Sequence, residues 1–284
     1  MLSAAEHKGG MLAIWPRDSF ITVGDTVFIA KDAEKDMTRK NPEGINQSIE
    51  AFKKYMDSQS IPYREIDVGF QGGDILVDEK NQKILCSYRE PKNEKEKEKY
   101  SRYVKTLEQE TGYEVIPIEK SGYKADIWSV RGSSSNTLYH LDTFLTQLPN
   151  GKILTFPEGM NAASYDRVKK AYGEENIIVI EKGDVNKLIP NAVTVGNSFI
   201  TSEMPPALRK KLADQGIEVV VDSDLGEDVK TRVINSGPHC LTNELPKSGK
   251  ILSSSHQQGN DASLDDLPVQ NPANNKTSSP LKQQ

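Results

Sequence analysis

The sequence predicts a propeller-like α/β assembly of repeated modules arranged around an axis, on three observations. A unit of two short strands around a tight turn, an amphipathic helix and a third, apolar strand recurs four times between Ile21 and Asp222. A leftover strand-like segment, HCLTNEL (239–245), begins a fifth. The strands enter as hairpins, whereas a doubly wound sheet alternates single strands with helices.

In the first unit ITVGDTVFIA (21–30) alternates around Gly24-Asp25, a hairpin signal; helix-like NQSIEAFKKYMDSQ (46–59) and the strand YREIDV (63–68) follow. The second reads DILVDEKNQKILCSY (74–88), then the charged helix NEKEKEKYSRYVKTLEQETG (93–112) with Gly112 as its stop, then YEVIPI (113–118). Its KEKEK run reads as a solvated face. The third turns at Asn150-Gly151 within LDTFLTQLPNGKILTF (141–156), then continues as SYDRVKKAYGEE (164–175) and NIIVIE (176–181). The fourth is AVTVGNSFITSEM (192–204), then PPALRKKLADQG (205–216) with Pro at the helix start and Gly at its end, then IEVVVD (217–222). From about Lys247 onward Ser, Gln, Asn, Lys and Pro dominate, and such a segment cannot bury enough surface to offset its ordering entropy. A folded domain over 1–246 and a disordered polar tail over 247–284 are therefore expected.

Lys and Arg number 36 against 41 Asp and Glu, a net charge of -5. A phosphate-tracking protein shows a basic excess, so nucleic acid is not an expected partner. No stretch nears the roughly 18 apolar residues that cross a bilayer, so no membrane is expected either. MLSAAEHKGGMLAIW lacks a charged start followed by an apolar core, so no secretory signal is read. Two cysteines, Cys86 and Cys240, are too few for a disulfide framework or a multi-cysteine zinc module. The four histidines show no zinc-like spacing. A reduced, cytoplasmic protein with no metal and no cofactor is expected, its oligomeric state not legible.

Polar residues gather at one point of each unit. Trp15-Pro16-Arg17-Asp18 precedes the first hairpin, Gln71-Gly72-Gly73-Asp74 the second and His140-Leu141-Asp142 the third, while His239-Cys240 opens the leftover segment. If the units are related by rotation, these entrances converge at one end of the axis. Carboxylates sharing a dry pocket repel unless a cation lies between them. A guanidinium fits, because its fork of N–H donors matches paired carboxylates and its central carbon is an electrophile for a thiolate. A histidine beside the thiol would move protons near neutral pH. Alone, His140 reads as a satisfied core histidine and Cys240 as a buried inert thiol; together with the other motifs they read as a site. Cys86, inside KILCSY, reads as core.

WPRDSF, QGGD, YHLDT and SGPHCLTNELP, in this order over about residues 15–246, resemble the guanidino-group-modifying, or pentein, superfamily. It includes arginine and agmatine deiminases, dimethylarginine dimethylaminohydrolases and amidinotransferases. The resemblance implies a pentein-type α/β propeller of five-fold pseudosymmetry with Cys240 as nucleophile, His140 as general acid and base, and Asp142 and Asp18 as guanidinium ligands. Many members carry Glu where this chain has Gln71, the glutamate supporting the histidine. Either Asp74 takes over that support, and is placed in the catalytic set on this account, or the amide of Gln71 holds the histidine from the substrate-binding side. Fourteen residues precede Trp15, fewer than such families carry, so the first module is expected to be incomplete. Arg131, in the Gly/Ser-rich SVRGSSSNTLYH, reads either as an exposed loop arginine or as the partner of a substrate α-carboxylate. The expected activity is hydrolysis of the guanidino group of a small arginine-like substrate through a covalent Cys thiouronium. Amidino transfer is one alternative and a non-catalytic pentein-fold binding protein another.

Overall fold

A computed structural model describes residues 16–31, 42–125, 138–221 and 236–246. All belong to the first of two units into which the chain divides, Met1–Gly249 and Lys250–Gln284. The tail expected over 247–284, Trp15 and Arg131 lie outside the described residues.

The four repeats are four three-stranded sheets of identical topology. The first holds β1 (Ile21–Val23), β2 (Thr26–Ala30) and β3 (Tyr63–Ile66), with α1 (Pro42–Ser58) between the last two. The second holds β4 (Ile75–Asp78), β5 (Lys83–Arg89), α2 (Glu94–Thr111) and β6 (Glu114–Lys120). The third holds β7 (Leu145–Gln147), β8 (Ile153–Thr155), α3 (Ala162–Tyr172) and β9 (Ile177–Val179). After a short α4 (Lys182–Asn186) the fourth holds β10 (Val193–Val195), β11 (Ser198–Thr201), α5 (Pro206–Ala213) and β12 (Glu218–Val221). In each, a short turn makes the first two strands antiparallel, and the helical crossover returns the third parallel to the second. Among the described residues these sheets are small and mixed, and no closed barrel is formed.

Local chemistry explains the boundaries. Asn93 caps α2 by accepting from the Glu96 backbone N–H at 3.0 Å, and Gly112 ends it in the left-handed conformation, φ 74°. Only Tyr103 and Leu107 of α2 are buried, so its charged run faces solvent. The unforeseen α4 starts at a reciprocal cap in which Glu181 and Asp184 each take the other's backbone N–H.

HCLTNEL is a correction to the sequence reading: residues 238–241 form a turn, and residues 242–246 form no strand. Its backbone donors are taken locally, Thr242 N–H by the His239 carbonyl, and from afar, Cys240 N–H by the Asn191 side chain.

The apolar core lies in two clusters. One includes Ile29, Met56, Ile66, Cys86 and Leu107; the other includes Phe144, Leu154, Val168, Phe199 and Leu212. The first strands are arranged differently. β4 lies against β1 and against β7, and a cavity of about 60 Å³ is lined by Thr22, Val77, Thr146 and Thr194, one residue from the first strand of each sheet. The 3-10 turns that lead into β1, β4 and β7, Pro16–Ser19, Gly72–Asp74 and Leu141–Thr143, touch in sequence.

Candidate active site

The three turns bring the polar motifs together. Asp18, buried in the first, accepts the Gly73 N–H at 3.2 Å from the second. Gly73 lies flat against the third: a Cβ there would stand 2.5 Å from His140 Nδ1 and 3.3 Å from Asp142 Oδ2. The His140 ring is held from its far side, Nε2 to Gln71 Oε1 at 2.7 Å, while Nδ1 lies 3.8 Å from Asp18 Oδ1. With the amide oxygen as acceptor, Nε2 carries the proton and Nδ1 faces the carboxylates.

Asp142 Oδ2 accepts from His239 Nδ1 at 2.8 Å and lies 3.6 Å from Cys240 Sγ. Its other oxygen, Oδ1, is buried with no hydrogen-bond partner among the described residues, as is Arg17 Nη2. Arg17 Nε donates to the His239 carbonyl at 3.3 Å. Around the sulfur, Asn191 Nδ2 donates to Cys240 Sγ at 3.0 Å, and Asn191 Oδ1 accepts from the backbone N–H groups of Gly237 and Cys240 at 3.0 and 3.1 Å.

The electrostatics follow from burial and these partners. Burial alone would raise the Asp142 carboxyl, but the hydrogen bond from His239 and the charges of His239, His140 and Arg17 hold it below the ordinary range. Burial, then the Arg17 charge, lowers the His239 imidazole against the pull of Asp142. Its neutral form therefore prevails near neutral pH, with Nδ1 as the donor to Asp142. Burial and the negative charges of Asp142 and Asp18 push the Cys240 thiol well above the ordinary thiol range, opposed by the Asn191 hydrogen bond.

This raised thiol has a consequence for stability. The unfolded chain loses the proton near pH ~8.5, whereas the folded protein keeps it, so the contribution is intact below that value and is lost as pH rises toward the folded pKa. Cys86, pushed up by burial, acts with the same sign. Tm measured from about pH 8 to about pH 10 is expected to fall, and less steeply in Cys240→Ala than in wild type. Identical slopes would contradict a raised Cys240.

Asp18, Gln71, His140, Asp142 and Cys240 thus share one cluster. Asp74 does not support the histidine, which is a correction: its Oδ1 accepts from Lys120 Nζ at 2.7 Å and from the Ser87 hydroxyl. The amide of Gln71 makes the histidine contact instead. The sequence reading passed over Arg17 and Asn191, though Asn191 stands at the fourth hairpin entrance, just as the acids stand at the others. Next to the cluster is a cavity of about 300 Å³ whose lining includes Gln71, Asp74, Arg89, Lys120 and Tyr139. Arg89 lies 5.3 Å over the Tyr139 ring, and that ring is 4.6 Å from the His140 ring. Among the described residues no group of three or more His, Cys, Asp or Glu is arranged to hold a metal ion, and no helix is long and apolar enough to cross a membrane.

No family model matches the chain. It is similar to the bifunctional arginine dihydrolase/ornithine cyclodeaminase AgrE of Nostoc sp., 23% identical over 239 residues, which is 83% of this chain and 29% of that protein. The chain therefore spans less than a third of that relative's length. Among solved structures it matches the substrate-bound N-terminal domain of ArgZ, an arginine dihydrolase from the ornithine-ammonia cycle in cyanobacteria. The TM-score is 0.65 at 20% identity, covering 84% of this chain and 78% of that one. The same ArgZ domain is known covalently bound to a reaction intermediate, TM-score 0.62 at 19% identity, covering 84% and 78%. A dimethylarginine dimethylaminohydrolase matches with TM-score 0.54 at 17% identity, over 82% of this chain and 77% of that one. The chain shares their fold.

Proposed function

We propose that residues 1–246 form a pentein-type propeller whose centre hydrolyses the guanidino group of a small arginine-like substrate. The observation that carries this reading is Asp142, whose buried Oδ1 has no partner among the described residues while its Oδ2 lies 3.6 Å from the Cys240 sulfur, together with a second buried carboxylate, Asp18. A guanidinium N–H supplies the missing donor and the missing positive charge. The covalent intermediate in the related ArgZ domain and the hydrolase names of the relatives support the same chemistry.

In the proposed reaction the arriving cation lowers the Cys240 thiol by opposite-charge attraction, and His140 Nδ1 takes the thiol proton. The thiolate attacks the guanidinium carbon, and the new imidazolium protonates one nitrogen, which leaves as ammonia or amine. A cationic thiouronium on sulfur remains. Water attacks its carbon while His140 accepts a water proton. The C–S bond then breaks, the hydroxyl proton passes to sulfur and a neutral ureido product forms. His140 gives its proton to the released ammonia, so the sum is guanidinium plus water to ureido product plus ammonium.

The far end of an amino-acid substrate needs a cation for its carboxylate. Arg131 lies outside the described residues, whereas Arg89 faces the adjoining cavity that Gln71 links to His140. Incubation with arginine, agmatine and N-methylated arginines, with and without glycine, is expected to yield ammonium or amine and a ureido or further hydrolysed product. Arg89→Ala is expected to raise KM roughly 10- to 150-fold for arginine and little for agmatine, since a hydrogen bond to a charged group is worth about 1.5–3 kcal/mol. Amidino transfer to glycine without released ammonium, or no turnover of any of these compounds, would overturn the proposal.

A further inference from the structure

The nucleophile loop hangs on one side chain. Asn191 is 1% exposed and stands two residues ahead of β10, at the entrance of the fourth sheet. Its Oδ1 takes the N–H groups of Gly237 and Cys240, its backbone carbonyl takes that of His239 at 3.4 Å, and its Nδ2 is aimed at the sulfur. Gly237 is pressed against it: a Cβ there would lie 2.7 Å from Asn191 Oδ1 and 2.9 Å from Asn191 Cβ. The loop and the asparagine are thus fitted to each other.

The residue type follows from what it faces. Asp18 and Asp142 stand three residues ahead of β1 and β7, where a cation is to be held; Asn191 stands two residues ahead of β10, at the entrance of the fourth sheet, where the neighbour is sulfur. A carboxylate there would accept the two backbone N–H groups but repel a thiolate. A hydroxyl side chain is too short to span both. An amide offers an acceptor to the backbone and a donor to the sulfur at once.

We infer that Asn191 is a positioning residue for the nucleophile, holding the Gly237–Cys240 turn through Oδ1 and favouring the thiolate of Cys240 through the Nδ2 donor. The inference rests on the reading of Cys240 as nucleophile and adds a residue that the family motifs do not contain. The groups acting on the sulfur include Asn191 and Asp142 by hydrogen bond and Asp18 and Arg17 by charge, and on the proposed chemistry His140 Nδ1 faces it as the proton acceptor. Asn191 is the neutral donor in that set, and its hydrogen bond opposes the burial and the carboxylates that raise the thiol.

The test is the pH dependence of Cys240 alkylation by iodoacetamide in the full chain without substrate. Mass spectrometry assigns label to Cys240 or Cys86, and circular dichroism checks the fold. Asn191→Asp keeps the acceptor oxygens and replaces the donor by negative charge. Its alkylation profile is expected to move up by about one pH unit or more, with labelling at neutral pH falling about tenfold or more and a similar plateau rate at high pH. Asn191→Ala loses both functions, and its profile is expected to move in the same direction with a changed plateau. An Asn191→Asp profile that superimposes on wild type would overturn the inference. An unmoved profile in a protein that turns over guanidino compounds rejects Asn191 alone. A moved profile in a protein with no turnover rejects the proposed function and keeps Asn191.

Discussion

Cys240→Ala and His140→Ala are each expected to lower kcat by roughly 10⁴-fold or more, and the double substitution to lower it little further, because nucleophile and proton carrier act as one unit. Cys240 has no near substitute, since the other cysteine, Cys86, is fully buried in the core of the second sheet. His239 cannot replace His140: its Nδ1 is already committed to Asp142, and its depressed basicity suits it poorly to accept a proton. Neither substitution touches the apolar clusters, so Tm near neutral pH should stay close to wild type. Single-turnover measurements with arginine should show no covalent adduct in Cys240→Ala. Substantial turnover by either single variant would remove that residue from the mechanism.

Gly73→Ala is expected to cost activity out of proportion to stability. The added methyl would stand 2.5 Å from His140 Nδ1 on the side opposite the Gln71 hydrogen bond. The ring has to shift, and a displacement of about 1 Å at a proton-transfer group costs on the order of 10²-fold in rate. A side chain can yield, so the fold is expected to tolerate the change. Gly72→Ala is the counterpart, because its methyl would run into the backbone carbonyl of Arg17, which cannot step aside. The overpacking there is expected to cost about 1–3 kcal/mol of stability. Thermal unfolding beside steady-state kinetics reads both. A Gly73→Ala protein with near-normal kcat would show that His140 Nδ1 is not the proton-carrying atom.

The two glycines also show how far the sequence could be read. Gly24-Asp25 and Asn150-Gly151 announce their hairpins because turn chemistry is local, and the helix-bearing repeats follow from spacing alone. The QGGD motif announces a tight place without saying which neighbour makes it tight. Asp74 was misjudged for a geometric reason. It immediately precedes Ile75, the first residue of β4, whereas Asp18 and Asp142 stand three residues ahead of Ile21 and Leu145. Its partner Lys120 comes from the end of β6, a contact that no local pattern contains. HCLTNEL alternates well enough to read as a strand, but contacts distant in sequence hold it otherwise: Asn191 takes the Cys240 N–H, Arg17 donates to the His239 carbonyl, and Asn243 donates to the carbonyls of Pro16 and Phe20. The fourth entrance carries a polar residue too, but Asn191 stands two residues ahead of Val193 rather than three, and an amide among acids does not fit a pattern framed around carboxylates.

Arg17 gives the buried cluster a particular charge parity. Asp18 and Asp142 are two buried carboxylates against one buried guanidinium, Arg17, on which the exposed Glu244 also acts, so these side chains carry an excess of negative charge. On the proposed chemistry a guanidinium offsets it on arrival, and the thiouronium, also a monocation, preserves that offset while bonded to sulfur. The ureido product is neutral. When it forms, the carboxylate pair again outnumbers Arg17, and the attraction that drew the substrate in is gone. Product departure is therefore written into the same residues as substrate capture, and a second hydrolytic round on the ureido group would have to proceed without that attraction.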